Sequence, residues 1–242
     1  MTINYAHRGA SGYCPENTMA AFRYAIELGA TGIETDVQMT ADGELVLIHD
    51  ENLKRTTGID KLVKDVTLAE LKALDAGSWY STDFAGEQVP TLDELMELVK
   101  AHHIMLNIEI KSGIVLYPNI ERSVVDKIKA YGLEKQCIIS NFNHYSLAGC
   151  HAIDPQIRTG ILYMEGLYRP WDYAQTLGAT ALHAAKYAVT PEWVKEAESK
   201  GVIYNVWTVN ETHEMKALIQ AGVAGIITDY PDRLHQLLTG KG

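Results

Sequence analysis

Between positions 5 and 57 the chain reads YAHRGASGYCPENTMAAFRYAIELGATGIETDVQMTADGELVLIHDENLKRTT, which sets His7, Arg8, Glu34, Asp36 and His49 among short apolar runs. That is more ionisable chemistry than a folding core needs. Glu34 and Asp36 stand two apart in GIETDVQ, and the period of two of a β-strand puts both carboxylates on one face. Like charges on one face repel, and burial raises the cost of ionising both. A divalent cation with oxygen ligands removes that difficulty. A lone ExD pair is more often the polar face of a strand turned to solvent, but the flanking His7, Arg8 and His49 favour a site here. Two histidines suit paired proton transfers, because the imidazole titrates near neutrality.

The elements that must position these groups can be read in order. Residues 3–7 form a short strand, and Pro15-Glu16-Asn17-Thr18 leads into an amphipathic helix over 19–29 closed by Gly29. Asp42-Gly43 predicts a two-residue hairpin turn within 32–49. With that pair as the turn, Ala41 faces Glu44, Thr40 faces Leu45, and Asp36 falls opposite His49. Residues 51–90 mix one short helix, 68–74, with Gly, Ser, Thr and Asp, and read as an excursion too small to carry its own core. Regular alternation then resumes. Thr91 and Glu94 form a capping box for a helix to about His102. Strands at 104–111, 136–140, 157–162, 180–183, 202–207 and 225–228 alternate with helices at 118–131, 143–152, 170–177, from Thr190-Pro191, 211–221 and from Pro231. Leaving out the return arm of the hairpin, eight strands are each followed by a helix, the pattern of a (β/α)8 TIM barrel over residues 1–242 as a single domain. A doubly wound open sheet is the alternative, but no GxGxxG follows the first strand.

Composition bounds the function. The 242 residues, 47% of them hydrophobic, are enough for one barrel, which typically needs about 250. A formal charge of -10 without a basic block argues against nucleic acid and against stable association with an anionic membrane. An anionic substrate would need locally concentrated cations. Cys14, Cys137 and Cys150 lack CxxC spacing and are odd in number, which points to a reduced setting and to buried packing residues rather than nucleophiles. The first histidine arrives at position 7 with no apolar signal core before it, and no run of about 18 apolar residues follows, so a cytoplasmic protein is expected.

In such barrels functional groups lie at the C-terminal ends of the strands. His7 and Arg8 end the first strand, Glu34 and Asp36 lie near the end of the second, Glu109 and Lys111 near the end of the third, and Trp207 ends the seventh. With those residues in place, the sequence resembles the glycerophosphodiester phosphodiesterase family. The resemblance is carried by AHRG (6–9), PENT (15–18), ETDVQMTADG (34–43), HDENLKRTTG (49–58), NIEIK (107–111), NVWTVN (205–210) and GIITDYP (225–231), in that order over nearly the whole chain. It implies a barrel that hydrolyses glycerophosphodiesters to glycerol 3-phosphate and an alcohol with a divalent metal, Mg²⁺ or Ca²⁺, with Mn²⁺ as a further candidate. By position it implies Glu34, Asp36 and Glu109 as metal ligands, His7 and His49 as the acid–base pair, and Arg8 and Lys111 as phosphate binders. The short chain resembles the cytoplasmic bacterial members.

Other residues carry weaker signals. Glu16 reads as a helix N-terminal charge and as a partner of Arg8, which are compatible roles. Trp207 reads as a core aromatic or a wall against the glycerol moiety, and Asp229 as structural. His183 is expected to pack in the core or at the rim, and His102, His103, His144, His151, His213 and His235 to be solvated. Two other function classes compete: lyase-like cleavage of phospholipid head groups, which would need an apolar docking surface, with Trp79, Tyr80 and Phe84 as the place to look; and a non-catalytic phosphate- or metal-binding module, against which the presence of both His7 and His49 argues. Head group and oligomeric state, a homodimer included, are left open.

Overall fold

The computed structural model describes residues 1–240. Eight parallel strands close on themselves: β1 (Ile3–His7), β2 (Gly32–Met39), β4 (Met105–Ile110), β5 (Cys137–Asn141), β6 (Thr159–Tyr163), β7 (Ala181–Ala185), β8 (Ile203–Trp207) and β9 (Gly225–Thr228), each hydrogen-bonded to its neighbours, with β9 returning to β1. The ninth strand, β3 (Leu45–Leu47), pairs antiparallel with β2 outside the barrel. The expected (β/α)8 barrel is therefore the fold. Ten α-helices are described: α1 (Met19–Glu27), α2 (Lys54–Thr57), α3 (Leu68–Lys72), α4 (Leu92–His102), α5 (Ile120–Tyr131), α6 (His144–Ile153), α7 (Pro170–Thr176), α8 (Pro191–Ser199), α9 (Thr212–Ala221) and α10 (Pro231–Thr239). Predicted boundaries hold to within two or three residues, and the caps explain why. Thr91 and Glu94 close a capping box on α4, and Thr190 accepts from the Trp193 amide ahead of Pro191.

Strand alternation sorts the residues of the barrel. Leu106, Ile108 and Ile110 of β4 face outward and are fully buried under α4 and α5, whereas Asn107 and Glu109 face the interior. The Tyr5 ring fills the interior between two glycines. A Cβ on Gly32 would come within 2.6 Å of that ring, and one on Gly225 within 2.8 Å, so neither strand tolerates a side chain there. His183 lies in the same interior, fully buried, with Nε2 3.0 Å from the Asn205 amide nitrogen. Burial pushes its pKa down to about 3, which leaves a neutral packing residue.

The hairpin departs from its expected register. Thr40 pairs with Glu44 across a three-residue loop, and only Gly43 has positive φ (88°). Asp42 instead turns its carboxylate to the Thr40 hydroxyl and to the Leu68 amide, 26 positions away. That tertiary use of Asp42 favours the three-residue turn, and the register slips by one. Asp36 therefore opposes Ile48, whose amide donates to the Asp36 carbonyl at 3.0 Å. His49 lies one residue past that pair, and it is the Gln38 side-chain amide, reaching the carbonyls of Ile48, His49 and Asp50 at 2.7–3.1 Å, that holds the segment against the barrel.

Residues 51–90 contain α2, α3 and an apolar cluster of Leu53, Val63, Val66, Leu71, Ala76 and Val89. The excursion thus buries more than its composition suggested. Its cluster is completed by Val46 and Ile48 of the hairpin, so it is built onto the barrel rather than beside it.

Candidate active site

Seven side chains named from sequence meet at one rim. His7, Arg8, Glu34, His49, Glu109, Lys111 and Trp207 all line a cavity of about 120 Å³ at the C-terminal ends of the strands, and Asp36 lies directly beneath Arg8. Asp36 and Glu34 follow each other along the interior face of β2, and Asp36 pairs in register with Glu109 of β4. Oxygen atoms of Glu34, Asp36 and Glu109 lie within 4.8 Å of one another.

Arg8 takes positive φ (55°), a conformation that costs a non-glycine residue energy and is fixed here by its amide donating to the Glu34 carbonyl at 2.9 Å. Its guanidinium reaches Asp36 at 3.2 Å through Nε and Glu16 at 3.0 Å through Nη1. Lys111 Nζ stands 2.9 Å from Glu109 and 3.7 Å from Asp36. Asn17, also at positive φ, donates to Asp36 Oδ2 at 2.9 Å and accepts from Thr35. Asp36 Oδ1 has no hydrogen-bond partner although fully buried.

The electrostatics follow from this crowding. Burial, and then the charge of Asp36, push Glu34 far above the ordinary carboxylate range; the same two causes raise Glu109. Burial also opposes ionisation of Asp36, but Arg8 and Lys111 outweigh it and keep that carboxylate charged. Three hard oxygen donors, one with an orphaned buried atom and two whose ionisation is opposed by burial and by the charge of Asp36, fit a divalent cation of the Mg²⁺, Ca²⁺ or Mn²⁺ kind. The linkage has a definite sign. A carboxyl that keeps its proton longer in the folded than in the unfolded state destabilises the fold as pH rises, here between 4.5 and about 8 for Glu34. A bound cation removes that loss, so stabilisation by added Ca²⁺ or Mg²⁺ is expected to be greatest at about pH 8 and least near 4.5. Thermal melts across that range check this; a Tm increment independent of pH would contradict it.

Each histidine is held by a carboxylate. His7 Nδ1 meets Asp229 Oδ1 at 2.6 Å, and His49 Nδ1 meets Asp50 Oδ1 at 2.7 Å. A carboxylate only accepts, so Nδ1 carries the hydrogen in both rings and Nε2 is left for the cavity. His7 Nε2 lies 3.9 Å from Glu34. Burial opposes charge on His7, but the Asp229 hydrogen bond and the Glu34 charge win and raise its pKa. Asp229, although also partly buried, is held down at about 2 by His7 and by the side chains of Asn210 and Ser11.

Beyond the ionisable floor, Phe142 and Trp207 meet edge to face at 5.7 Å on the cavity wall, with Leu162 beside them. Trp207 donates through Nε1 to the His183 carbonyl, which fixes its plane. Trp79 and Tyr80 of the 51–90 excursion meet edge to face and are exposed (40% and 38%), and Tyr145 in the first turn of α6 and Tyr168 between β6 and α7 are more so (92% and 91%).

The sequence model of the Glycerophosphoryl diester phosphodiesterase family matches residues 7–233. The chain belongs to this family. It is similar to the glycerophosphodiester phosphodiesterase of Caldanaerobacter subterraneus subsp. tengcongensis, 49% identical over all of this chain and 99% of that one, and to that of Bacillus altitudinis, 41% identical over 96% of each. Among solved structures, an Oleispira antarctica phosphodiesterase in complex with the product sn-glycerol-3-phosphate superposes with a TM-score of 0.87 at 29% identity, over 99% of this chain and 97% of that one. As a glycerophosphodiester phosphodiesterase family member the chain is an enzyme, and among the described residues no helix is long and apolar enough to cross a membrane.

Sequence reasoning placed the phosphodiesterase rim but missed several of its supports. Asp229 was read as structural, yet it holds His7 from 222 positions away. Its signal was available, because it follows β9 as His7 ends β1. Asp50 and Arg55 fall inside the HDENLKRTTG stretch without being singled out. Of the helix histidines expected in solvent, His144 binds the Leu162 carbonyl, and His151 and His235 pack over Gly178 and Gly29, which lack a side chain to obstruct them. The three cysteines are buried and unpaired, and burial raises each thiol, to about 11 for Cys14 and about 12 for Cys137 and Cys150.

Proposed function

We propose that the chain hydrolyses glycerophosphodiesters such as glycerophosphocholine and glycerophosphoethanolamine to sn-glycerol 3-phosphate and the free alcohol, using His7 and His49 for proton transfer at a cavity that also holds a divalent cation. The observation that carries this reading is the arrangement of the two rings: each is held at Nδ1 by a carboxylate, and both line the same cavity beside Arg8, Lys111, Glu34 and Glu109. The product named in the Oleispira antarctica complex supports the substrate class.

A phosphodiester is a monoanion, and its displacement spreads charge over the non-bridging oxygens, so preorganised cations are the first requirement. Arg8 and Lys111 supply two, each already oriented by carboxylates. Glu34, Asp36 and Glu109 would hold the metal, which when bound polarises the phosphoryl group and favours an oxygen nucleophile. His7, its Nδ1 hydrogen committed to Asp229, takes the nucleophile's proton at Nε2; His49, its Nδ1 hydrogen committed to Asp50, acts from its imidazolium form and gives the Nε2 proton to the departing alcohol oxygen. The nucleophile is water or the substrate's own 2-hydroxyl. Trp207 and Phe142 form the apolar wall against the glycerol moiety. Buried, unpaired cysteines support a cytoplasmic setting.

Phosphorus NMR of the reaction tests the assignment. Glycerol 3-phosphate from both substrates is expected, with a transient cyclic phosphate if the 2-hydroxyl attacks; accumulation of choline phosphate instead would contradict the cleavage site. Asp229→Asn should lower kcat roughly 10- to 100-fold with KM little changed, because the amide no longer enforces the Nδ1-protonated ring of His7. Steady-state kinetics check this, and a kcat within twofold of the parent would remove Asp229 from the account.

A further inference from the structure

His49 is not itself on a barrel strand, and Gln38 of β2 holds only its backbone. His49 follows β3, and its ring is fixed through Asp50, whose carboxylate is in turn gripped by Arg55 of α2: Nε to Oδ2 at 2.6 Å and Nη2 to Oδ1 at 3.2 Å. The other edge of the same guanidinium forms two bonds with Glu16, at 2.9 and 2.7 Å, and Glu16 also accepts from Arg8 at 3.0 Å. Trp79, from the same excursion, packs its ring 5.6 Å from the Arg55 guanidinium carbon. A continuous chain of ionisable groups, His49–Asp50–Arg55–Glu16–Arg8, therefore links two residues of the cavity wall. Both ends lie past the strand ladders, Arg8 just beyond β1 and His49 beyond the hairpin, and are held at the backbone by the Glu34 carbonyl and the Gln38 side chain; the chain of ionisable groups adds a restraint on their side chains.

We infer that Arg55 is a positioning residue that clamps Asp50 to Glu16 and thereby fixes His49 and Arg8 relative to one another across the substrate. This rests on the proposed roles of His49 and Arg8. The chemistry requires an arginine. Two carboxylates, each engaged by a pair of N–H groups in one plane, match the forked guanidinium; an ammonium is a point charge that can neutralise both but orient neither. Without Arg55, Asp50 and Glu16 are left as neighbouring like charges, so the carboxylate that anchors the His49 ring and the one that supports the Arg8 guanidinium both lose the group that fixes them. The excursion over 51–90 then has a function at the site: its apolar cluster and Trp79 hold the helix that delivers Arg55.

The test is steady-state hydrolysis of glycerophosphocholine by the metal-loaded parent, Arg55→Ala, Arg55→Lys and Lys54→Ala. Lys54 is a neighbouring cation in an exposed pair with Asp60, and its variant should match the parent. Arg55→Ala should lose roughly 10- to 100-fold in kcat/KM, divided between a lower kcat from His49 and a higher KM from Arg8, with the melting profile unchanged. Arg55→Lys should recover little of the loss, and millimolar guanidinium should restore part of it to Arg55→Ala. Kinetic constants of Arg55→Ala within twofold of the parent, or full recovery in Arg55→Lys, would overturn the inference. A parent with no turnover counts against the function itself, and the clamp is then read without substrate from the ¹⁵N signals of the His49 ring: one Nδ1-protonated form in the parent, mixed tautomers in Arg55→Ala. The same single form in both proteins would overturn it.

Discussion

Replacing His7 or His49 with Ala is expected to lower kcat on glycerophosphocholine by about 10²- to 10⁴-fold, the range associated with a positioned general acid or base. Neither replacement should unfold the barrel. The His49 side chain is one-third exposed, and after loss of His7 the Asp229 carboxylate keeps Asn210 and Ser11 as partners. The losses should not add in the double variant, because in the proposed reaction both rings serve one proton-transfer sequence and a reaction that has lost one already runs by a slower route. Single-turnover kinetics, with cation-induced stabilisation as a control for an intact metal cluster, separate a chemical defect from a binding one. Substantial residual turnover in His49→Ala would remove that ring from the mechanism.

Asp36→Asn is expected to be comparably severe for a different reason. Asp36 is fully buried, and its Oδ2 already serves Asn17 and Arg8, while Oδ1 is the unpartnered atom that faces Lys111 and the other carboxylates. An amide of the same shape keeps the packing but removes the charge that holds Arg8 and the cation together. Metal participation is worth several kcal/mol of transition-state stabilisation, so roughly a thousandfold loss in kcat is expected at fixed metal concentration, partly recovered at high metal. Calorimetric titration of Ca²⁺ or Mg²⁺ into the parent and the variant tests this directly. Equal affinity in the two proteins would show that Asp36 does not bind the cation.

The elements carrying this site were legible because their signals are local. Thr91 and Glu94, three residues apart, define the start of α4 by themselves, and the alternation of Glu34 with Asp36 and of Glu109 with Lys111 follows from strand geometry. The rule that barrel sites gather at the C-terminal ends of strands then joined residues a hundred positions apart. What escaped was tertiary. The turn at Asp42-Gly43 obeys its dipeptide preference until Leu68 claims the Asp42 carboxylate, and one residue of register is lost. Gln38, Asn17, Asp50 and Asp229 have no motif of their own; each matters through a hydrogen bond to a residue already expected at the site, His49, Asp36, His49 and His7 in turn. Asp229 shows the limit most clearly, since a carboxylate ending the last strand acquires meaning only when barrel closure brings β9 beside β1.

The most direct test of the account is the release of sn-glycerol 3-phosphate from glycerophosphocholine by enzyme stripped with EDTA and then supplied with Mg²⁺, Ca²⁺ or Mn²⁺. The account predicts no release from the stripped enzyme, and recovery with at least one of these cations in the parent but not in His7→Ala or His49→Ala. Full turnover in EDTA, or equal recovery in the histidine variants, would contradict it.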